Sequence, residues 1–218
     1  MTPEPVLDAA KRTLRIAEPT LATLVAHAAD PVHAALEGPE AEQQLALLRQ
    51  AGVIRGGRSH PAIRDALGAI VRPELCTLEL RSADRVTEGW VGYGAAALLR
   101  APEEDGARRL LALHPTLLPE ALARLVDLGP RPRPEEGARV PFDEHAFAGV
   151  RRRWSLAAGW TLDDGTTGSA RLEVLDTDGG LWVLDGPEGH EQTALPVTST
   201  FVWRHIVRLL MRRPAAAG

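Results

Sequence analysis

Two stretches of the chain share one pattern of apolar and polar positions. Leu78-Glu79-Leu80 runs into a polar segment and returns through Gly89-Trp90-Val91, while Leu172-Glu173-Val174 runs into Asp176-Thr177-Asp178-Gly179-Gly180 and returns through Leu181-Trp182-Val183. The alternation predicts a strand pair in each copy. A proline-marked entry and an amphipathic helix follow each one, His114-Pro115 to Val126 in the first and Leu195-Pro196 to Leu210 in the second. The repeat predicts an α+β body with internal pseudo-symmetry.

Around these copies the periodicity is mostly helical in the first half and strand-like in the second. Leu14, Leu21, Leu24, Val25 and Ala28 predict helix from Val6 to Ala29, with Pro19 placed to start a second segment after Glu18. Pro39 to Ala51 is helical, with Leu45, Leu47 and Leu48 toward the core and Gly52 as its C-terminal stop. A Gly56-Gly57 turn follows. Ser59-His60-Pro61 then opens a helix over 62–71 with Ile63, Leu67 and Ile70 on one face. Leu75 to Arg81 is strand, Arg81 to Glu88 a polar connection, Gly89 to Tyr93 the return strand and Ala95 to Arg100 a third strand. Ala107 to Leu113 fits either a short helix or a strand, and Pro119 to Leu128 a helix.

The alternating prolines of Gly129 to Gly137 forbid helix and predict an extended linker, which separates halves of about 1–128 and 138–213 within a single domain. Asp143 is placed to cap a short helix reaching Val150. A strand meander follows: Arg152 to Leu162, a turn at Asp163-Asp164-Gly165, Ser169 to Leu175, a turn at Asp178-Gly179, and Gly180 to Leu184. Gly186 to His190 reads as an exposed turn. Thr198 to Arg213 is the last helix, with Val202, Ile206, Leu209 and Leu210 on its apolar face.

A chain of 218 residues with 44% hydrophobic content can bury a substantial core. Its net charge of −4 supplies no global attraction to nucleic acid. Lys11 is the only lysine, an arginine bias that fits high-GC coding. No intrachain disulfide can form with Cys76 as the single cysteine, and its setting on a strand predicts a buried, inert thiol. The N-terminus lacks a basic segment followed by an apolar one, and no apolar run approaches the roughly 20 residues that span a bilayer. A cytoplasmic protein without a membrane role is the expectation.

Recognisable catalytic chemistry is absent. Asp176-Thr177-Asp178-Gly179 begins like a calcium loop, but Gly180 and Pro187 occupy its fifth and twelfth positions, so it reads as a hairpin turn. Gly89-Trp90-Val91-Gly92-Tyr93-Gly94 lacks the order of a phosphate cradle and reads as a bending strand. The histidines lack the spacing of a helical zinc site, and there is no Gly-x-Ser-x-Gly elbow. No catalytic, metal or cofactor residues are therefore assigned. Trp90 and Trp182, matched in the two copies, read as packing between sheet and helix, or else as an open sheet face for a partner. Leu48 to Ile54 is a weak match to the closing part of a winged helix, where two strands should follow as a wing and a helix-like segment follows instead.

The order of Leu47-Leu48-Arg49-Gln50-Ala51-Gly52-Val53-Ile54, His60-Pro61, Arg72-Pro73-Glu74-Leu75-Cys76-Thr77-Leu78-Glu79-Leu80 and Arg109-Leu110-Leu111-Ala112-Leu113-His114-Pro115 resembles the EspG family of actinobacterial type VII (ESX) secretion-associated proteins. The proline-rich linker, Leu175-Asp176-Thr177-Asp178-Gly179-Gly180 and the closing helix extend the likeness over roughly Leu45 to Leu210. The resemblance implies a central antiparallel sheet of two strand-meander halves in pseudo-two-fold relation, flanked by helical bundles. It also implies a non-enzymatic chaperone for helical PE–PPE-type secretion substrates. The family opens with a strand before its helices, whereas Pro5 to Ala29 reads as helical, a divergent N-terminus. By position, the partner-binding residues implied are Arg81, Arg85 and Val86 in the 81–88 connection, with Phe201 and Arg204 on the last helix.

Three functional classes follow. The first is the type VII chaperone or adaptor, with a protein partner, no cofactor and no nucleic acid, its oligomeric state left open and a homodimer included. The second is a DNA-binding regulator, which needs a basic face around Gln43 to Arg64. Third is an interaction protein of another partner, or an enzyme with an unfamiliar site, which needs a deep polar pocket.

Overall fold

The computed structural model describes residues 3–34, 38–83, 85–132, 139–143, 147, 149–161, 164–186 and 191–211. It is an α+β chain with an antiparallel sheet of eleven strands among the described residues. Its contacts divide it into two compact units, 1–77 with 87–116 and 78–86 with 117–218.

The first unit opens on strands where helix is predicted. β1 (Val6–Asp8) pairs with β2 (Thr13–Ala17), turning through Arg12 at φ 54°. Leu14 and Ile16 are fully buried while Thr13 and Arg15 are half-exposed, a period of two that the helical phase of Leu14, Leu21 and Leu24 hides. The chain therefore does open on strand, which removes the N-terminal departure expected from sequence. Glu18 and Pro19 begin α1 (Glu18–Ala29) as expected. α2 (Pro31–Ala34) and α3 (Pro39–Gln50) follow. α3 ends in a Schellman turn: Val53 N–H donates to Leu48 O (2.9 Å) and Gly52 N–H to Arg49 O (3.0 Å), with Gly52 at φ 69°.

Two short strands come next, β3 (Ile54–Arg55) and β4 (Arg58–Ser59). Gly56 and Gly57 close them at φ 56° and 72°, both in the left-handed region that a type I′ turn requires. His60 Nδ1 accepts from Ala62 N–H (3.1 Å) and caps α4 (Pro61–Val71). β5 (Cys76–Ser82) and β6 (Arg85–Val91) form the next hairpin, then β7 (Ala96–Leu99) and β8 (Ala107–Leu113). β8, open to either reading from sequence, is a strand paired on one side to β7 and on the other to β2. α1 packs on α3 and α4, and α4 packs on β7 and β8. Leu14, Ile16, Leu24, Leu48, Ile63, Leu67 and Leu110 are essentially solvent-free at that interface, and Trp90 lies half-buried against it. Each such side chain stabilises the fold by about 1.5–3 kcal/mol relative to exposure.

The second unit carries α5 (Leu118–Leu125), β9 (Val140–Pro141), β10 (Val150–Thr161), β11 (Thr167–Thr177), β12 (Gly180–Asp185), β13 (Thr193–Val197) and α6 (Ser199–Met211). Its strand order is β5-β10-β11-β12-β13-β9. The meander agrees with the sequence reading at both Asp-Gly turns, though Leu162 and Asp163 lie outside the described residues, as do 187–190 in the next turn. β9 and β13 were not anticipated. The predicted helix after Asp143 is not what Val150 forms, since that residue opens β10; Glu144, His145, Ala146 and Ala148 lie outside the described residues. Phe147 packs instead against Phe142 and against Trp182 (centroids 5.5 and 5.2 Å), and all three rings cover Leu175, Leu184 and Ala194.

The opposite face of β10 and β11 presents Trp154, Leu156, Leu172 and Val174, and α6 packs there with Val202, Ile206 and Leu209. Burial on both faces explains the unbroken buried run from Leu172 to Thr177. Trp160 lies across Gly168, its register partner on β11. Among the described residues no helix is long and apolar enough to cross a membrane.

Candidate protein-binding surface

The partner-binding residues expected from sequence fall on three elements, β5, the start of β6 and α6, and all five belong to the second unit. Arg81 is on β5, its Nε 2.5 Å from Glu79 Oε1, and both side chains are exposed. Arg85 and Val86 start β6, exposed and half-buried respectively. The long polar connection expected from Arg81 to Glu88 does not form. Strand continues to Ser82 and resumes at Arg85, with a turn at Ala83, in the left-handed region at φ 52°; Asp84 lies outside the described residues. The polar side chains there alternate with buried Thr87 and Gly89, the mark of a strand with one wet face. Phe201 and Arg204 lie on α6. Phe201 is half-buried and stacks on His205 (centroids 4.2 Å apart, 30° between planes), whereas Arg204 is exposed.

α6 begins beside a cleft of about 490 Å³ that the sequence did not indicate. Leu128, Pro130, Arg131, Ser199, Thr200 and Trp203 contribute to its walls. Thr198 caps the helix, its Oγ1 accepting from Phe201 N–H at 3.2 Å. Ser199 Oγ donates to Gly129 O at 2.6 Å and ties the first turn of α6 to the strap that opens the linker. That strap is anchored by Arg131. Its Nε donates to Asp176 Oδ1 (2.9 Å), and its Nη2 to Asp176 Oδ2 (2.7 Å) and to Asp127 O (3.0 Å). Asp176, half of a supposed calcium motif, is thus a buried counterion, and its carboxylate holds the guanidinium ionised beyond its ordinary range. Thr177 Oγ1 donates to Gly180 O (2.9 Å) and closes the adjacent hairpin.

α5 aims the strap. Asp127, at φ 54°, ends α5 with Leu128 N–H on Ala123 O (2.8 Å), the same Schellman arrangement that ends α3. Trp203 is 38% exposed at the wall of the cleft, out of phase with Val202, Ile206 and Leu209. That phase was readable from the sequence; the placement of Arg131 was not.

The shifts at Cys76, Glu103 and Asp105 have burial or hydrogen bonding as their cause. Burial pushes the Cys76 thiol up to about 11, so it stays protonated and poorly nucleophilic. Arg15 and Arg109 pair with Glu103 on the surface, and Arg15 also with Asp105. Among the described residues no group of three or more His, Cys, Asp or Glu could hold a metal ion. The arrangement offers a rigid strand hairpin, a helix with an exposed Trp and Arg, and an open cleft between a helix start and a pinned strap.

No family model matches the chain, and no curated protein matches it in sequence. Among solved structures it is similar to the Mycobacterium tuberculosis type VII secretion system chaperone EspG5, in a structure in complex with a PE25–PPE41 dimer. The TM-score is 0.64 at 12% identity, over 94% of this chain and 98% of that one. The likeness is one of fold.

Proposed function

We propose that this chain is a cytoplasmic, non-enzymatic binding protein that chaperones a helical secretion substrate of the PE–PPE type. The observation that carries the reading is the correspondence of fold with EspG5, 94% of one chain on 98% of the other. Fold alone does not dictate function. The surface adds support: Arg81, Arg85 and Val86 on the β5–β6 hairpin, and Phe201, Trp203 and Arg204 on α6, combine aromatic and arginine side chains of the kind that anchor protein interfaces. The non-enzymatic part rests on the inert setting of Cys76 and on carboxylates engaged with arginines.

The test is co-expression with a PE–PPE-type dimer, followed by size-exclusion chromatography with light scattering. A stable complex that the double variant R85E/R204E weakens at least tenfold is the expected result. Failure of the wild-type chain to retain such dimers, or a complex indifferent to both substitutions, would refute the reading.

A further inference from the structure

We propose that the β3–β4 hairpin, with the adjoining ends of α3 and α4, is a docking surface for an acidic segment of a protein partner. Between Gln43 and Arg64 the sequence holds Arg49, Arg55, Arg58 and Arg64 and not one Asp or Glu, in a chain whose net charge is −4. The fold sets Arg55 and Arg58 on the hairpin, Arg64 against its second strand, and Arg49 in the last turn of the helix that leads into it. Arg55 and Arg58 are register partners across the Gly56-Gly57 turn. Like charges set opposite one another in a hairpin cost stability, and both side chains are exposed.

The guanidinium of Arg55 lies over Gly52, where a Cβ would sit 2.9 Å from Nη2. Gly52 is the residue that ends α3, and its N–H donates to Arg49 O. Arg55 is therefore held at the negative end of that helix. Arg64 reaches back from α4, its Nε and Nη2 donating to Ser59 O at 3.2 and 3.1 Å, beside Arg58. Among the described residues no carboxylate pairs with any of these arginines, and the nearest acidic positions in sequence, Glu42 and Asp65, form no ion pair. Elsewhere in the same unit Arg15, Arg108 and Arg109 are each tied to carboxylates. The cluster is a local cationic surface on an anionic protein.

Its size selects the partner. Guanidinium forks bind carboxylates in bidentate fashion, and those of Arg55 and Arg58, with the charges of Arg49 and Arg64 nearby in the chain, match a short run of Asp or Glu. Duplex nucleic acid commonly demands about 6–10 phosphate contacts and would meet the repulsion of the whole chain. A short acidic segment meets only the local field. This surface shares no residue with the hairpin and helix of the chaperone reading.

The experiment is fluorescence anisotropy of the full chain with a labelled Glu-rich peptide, and in parallel with a labelled duplex DNA, at about 50 mM salt, where screening is modest. The peptide is expected to bind, and R55A/R58A to weaken it about tenfold or more, with R55K/R58K between the two because it keeps charge and loses the fork. R85E/R204E is expected to leave peptide binding intact while it disrupts the substrate complex, which separates this proposal from the chaperone reading. Circular dichroism verifies that each variant is folded. No peptide binding by the wild type, equal affinity in R55A/R58A, or tighter binding to the duplex than to the peptide would each overturn the proposal.

Discussion

The Arg131–Asp176 pair makes the sharpest claim about how the α6 cleft is held. Substituting Arg131→Met keeps much of the side-chain volume and removes the charge. Asp176, 7% exposed at its side chain, then faces its pocket without a counterion. Removing one partner of a buried ion pair costs about 3–5 kcal/mol, and the 16% exposure of the Arg131 side chain argues for the lower end, about 3 kcal/mol. Asp176→Leu strands the arginine instead and is expected to cost a similar amount. The double variant R131M/D176L removes both charges, and replacing such a pair with apolar groups is often close to neutral, so it is expected within about 1 kcal/mol of the wild type. Urea unfolding followed by tryptophan fluorescence measures all three, because Trp203 lines the cleft and Trp154 lies in the core of the same unit. Single variants that each cost under about 1 kcal/mol, or a double variant as unstable as the sum of the singles, would refute the reasoning that Arg131 is a structural anchor.

Two further outcomes follow from individual side chains. The hydrogen bond from Arg15 holds the Glu103 carboxyl below its ordinary value of 4.5, and the Ala107 N–H together with Arg15 does the same for Asp105 below 3.8. Depressed carboxyls give stability that is present above those ordinary values and lost as pH falls through the folded-state ones, so E103Q/D105N is expected to flatten the acid limb of a stability–pH curve below about pH 4.5. An unchanged acid limb would show that the network contributes nothing. His27 is 5% exposed, and neither ring nitrogen has a hydrogen-bond partner among the described residues. Leaving buried polar atoms unmet costs about 1–3 kcal/mol, so His27→Leu is expected to hold or raise Tm, and a drop equivalent to more than about 1 kcal/mol would mean that the ring is needed where it sits.

The parts of the fold legible in the sequence are those fixed by local chemistry. Gly52, His60-Pro61 and Thr198 mark helix ends through hydrogen bonds to residues within a turn, and α3, α4 and α6 lie where those signals put them. Asp-Gly turns likewise set the β10–β12 meander. What escaped depends on distant partners. β2 is a strand because β8 lies beside it, with Thr13 opposite Leu111, while its apolar residues also fit a helical phase. Pro141 and Pro196 argue locally against strand, yet both pair through their neighbours in β9 and β13. Arg131 read as part of a linker and Asp176 as part of a turn; only the fold brings them together across 45 residues.

The shortened turn between β5 and β6 changes how a partner could be read there. A flexible 81–88 loop would have to be ordered on binding, at about 1–2 kcal/mol of backbone entropy for each residue fixed. Strand already holds Arg81, Ser82 and Arg85 to Glu88, so most of that cost is met on folding. Recognition then depends on which face of a preformed hairpin a side chain occupies. Arg81 and Arg85 are exposed, whereas Thr87 and Gly89 alternate into the interior. On the chaperone reading, substitutions at the exposed positions therefore alter binding without altering the hairpin, and those at Thr87 or Gly89 act first on the fold. On the same reading, what would set the first strand pair apart as a contact surface is its exposed Arg81 and Arg85, since strand occupies most of the 81–88 stretch where a long polar loop is expected from sequence.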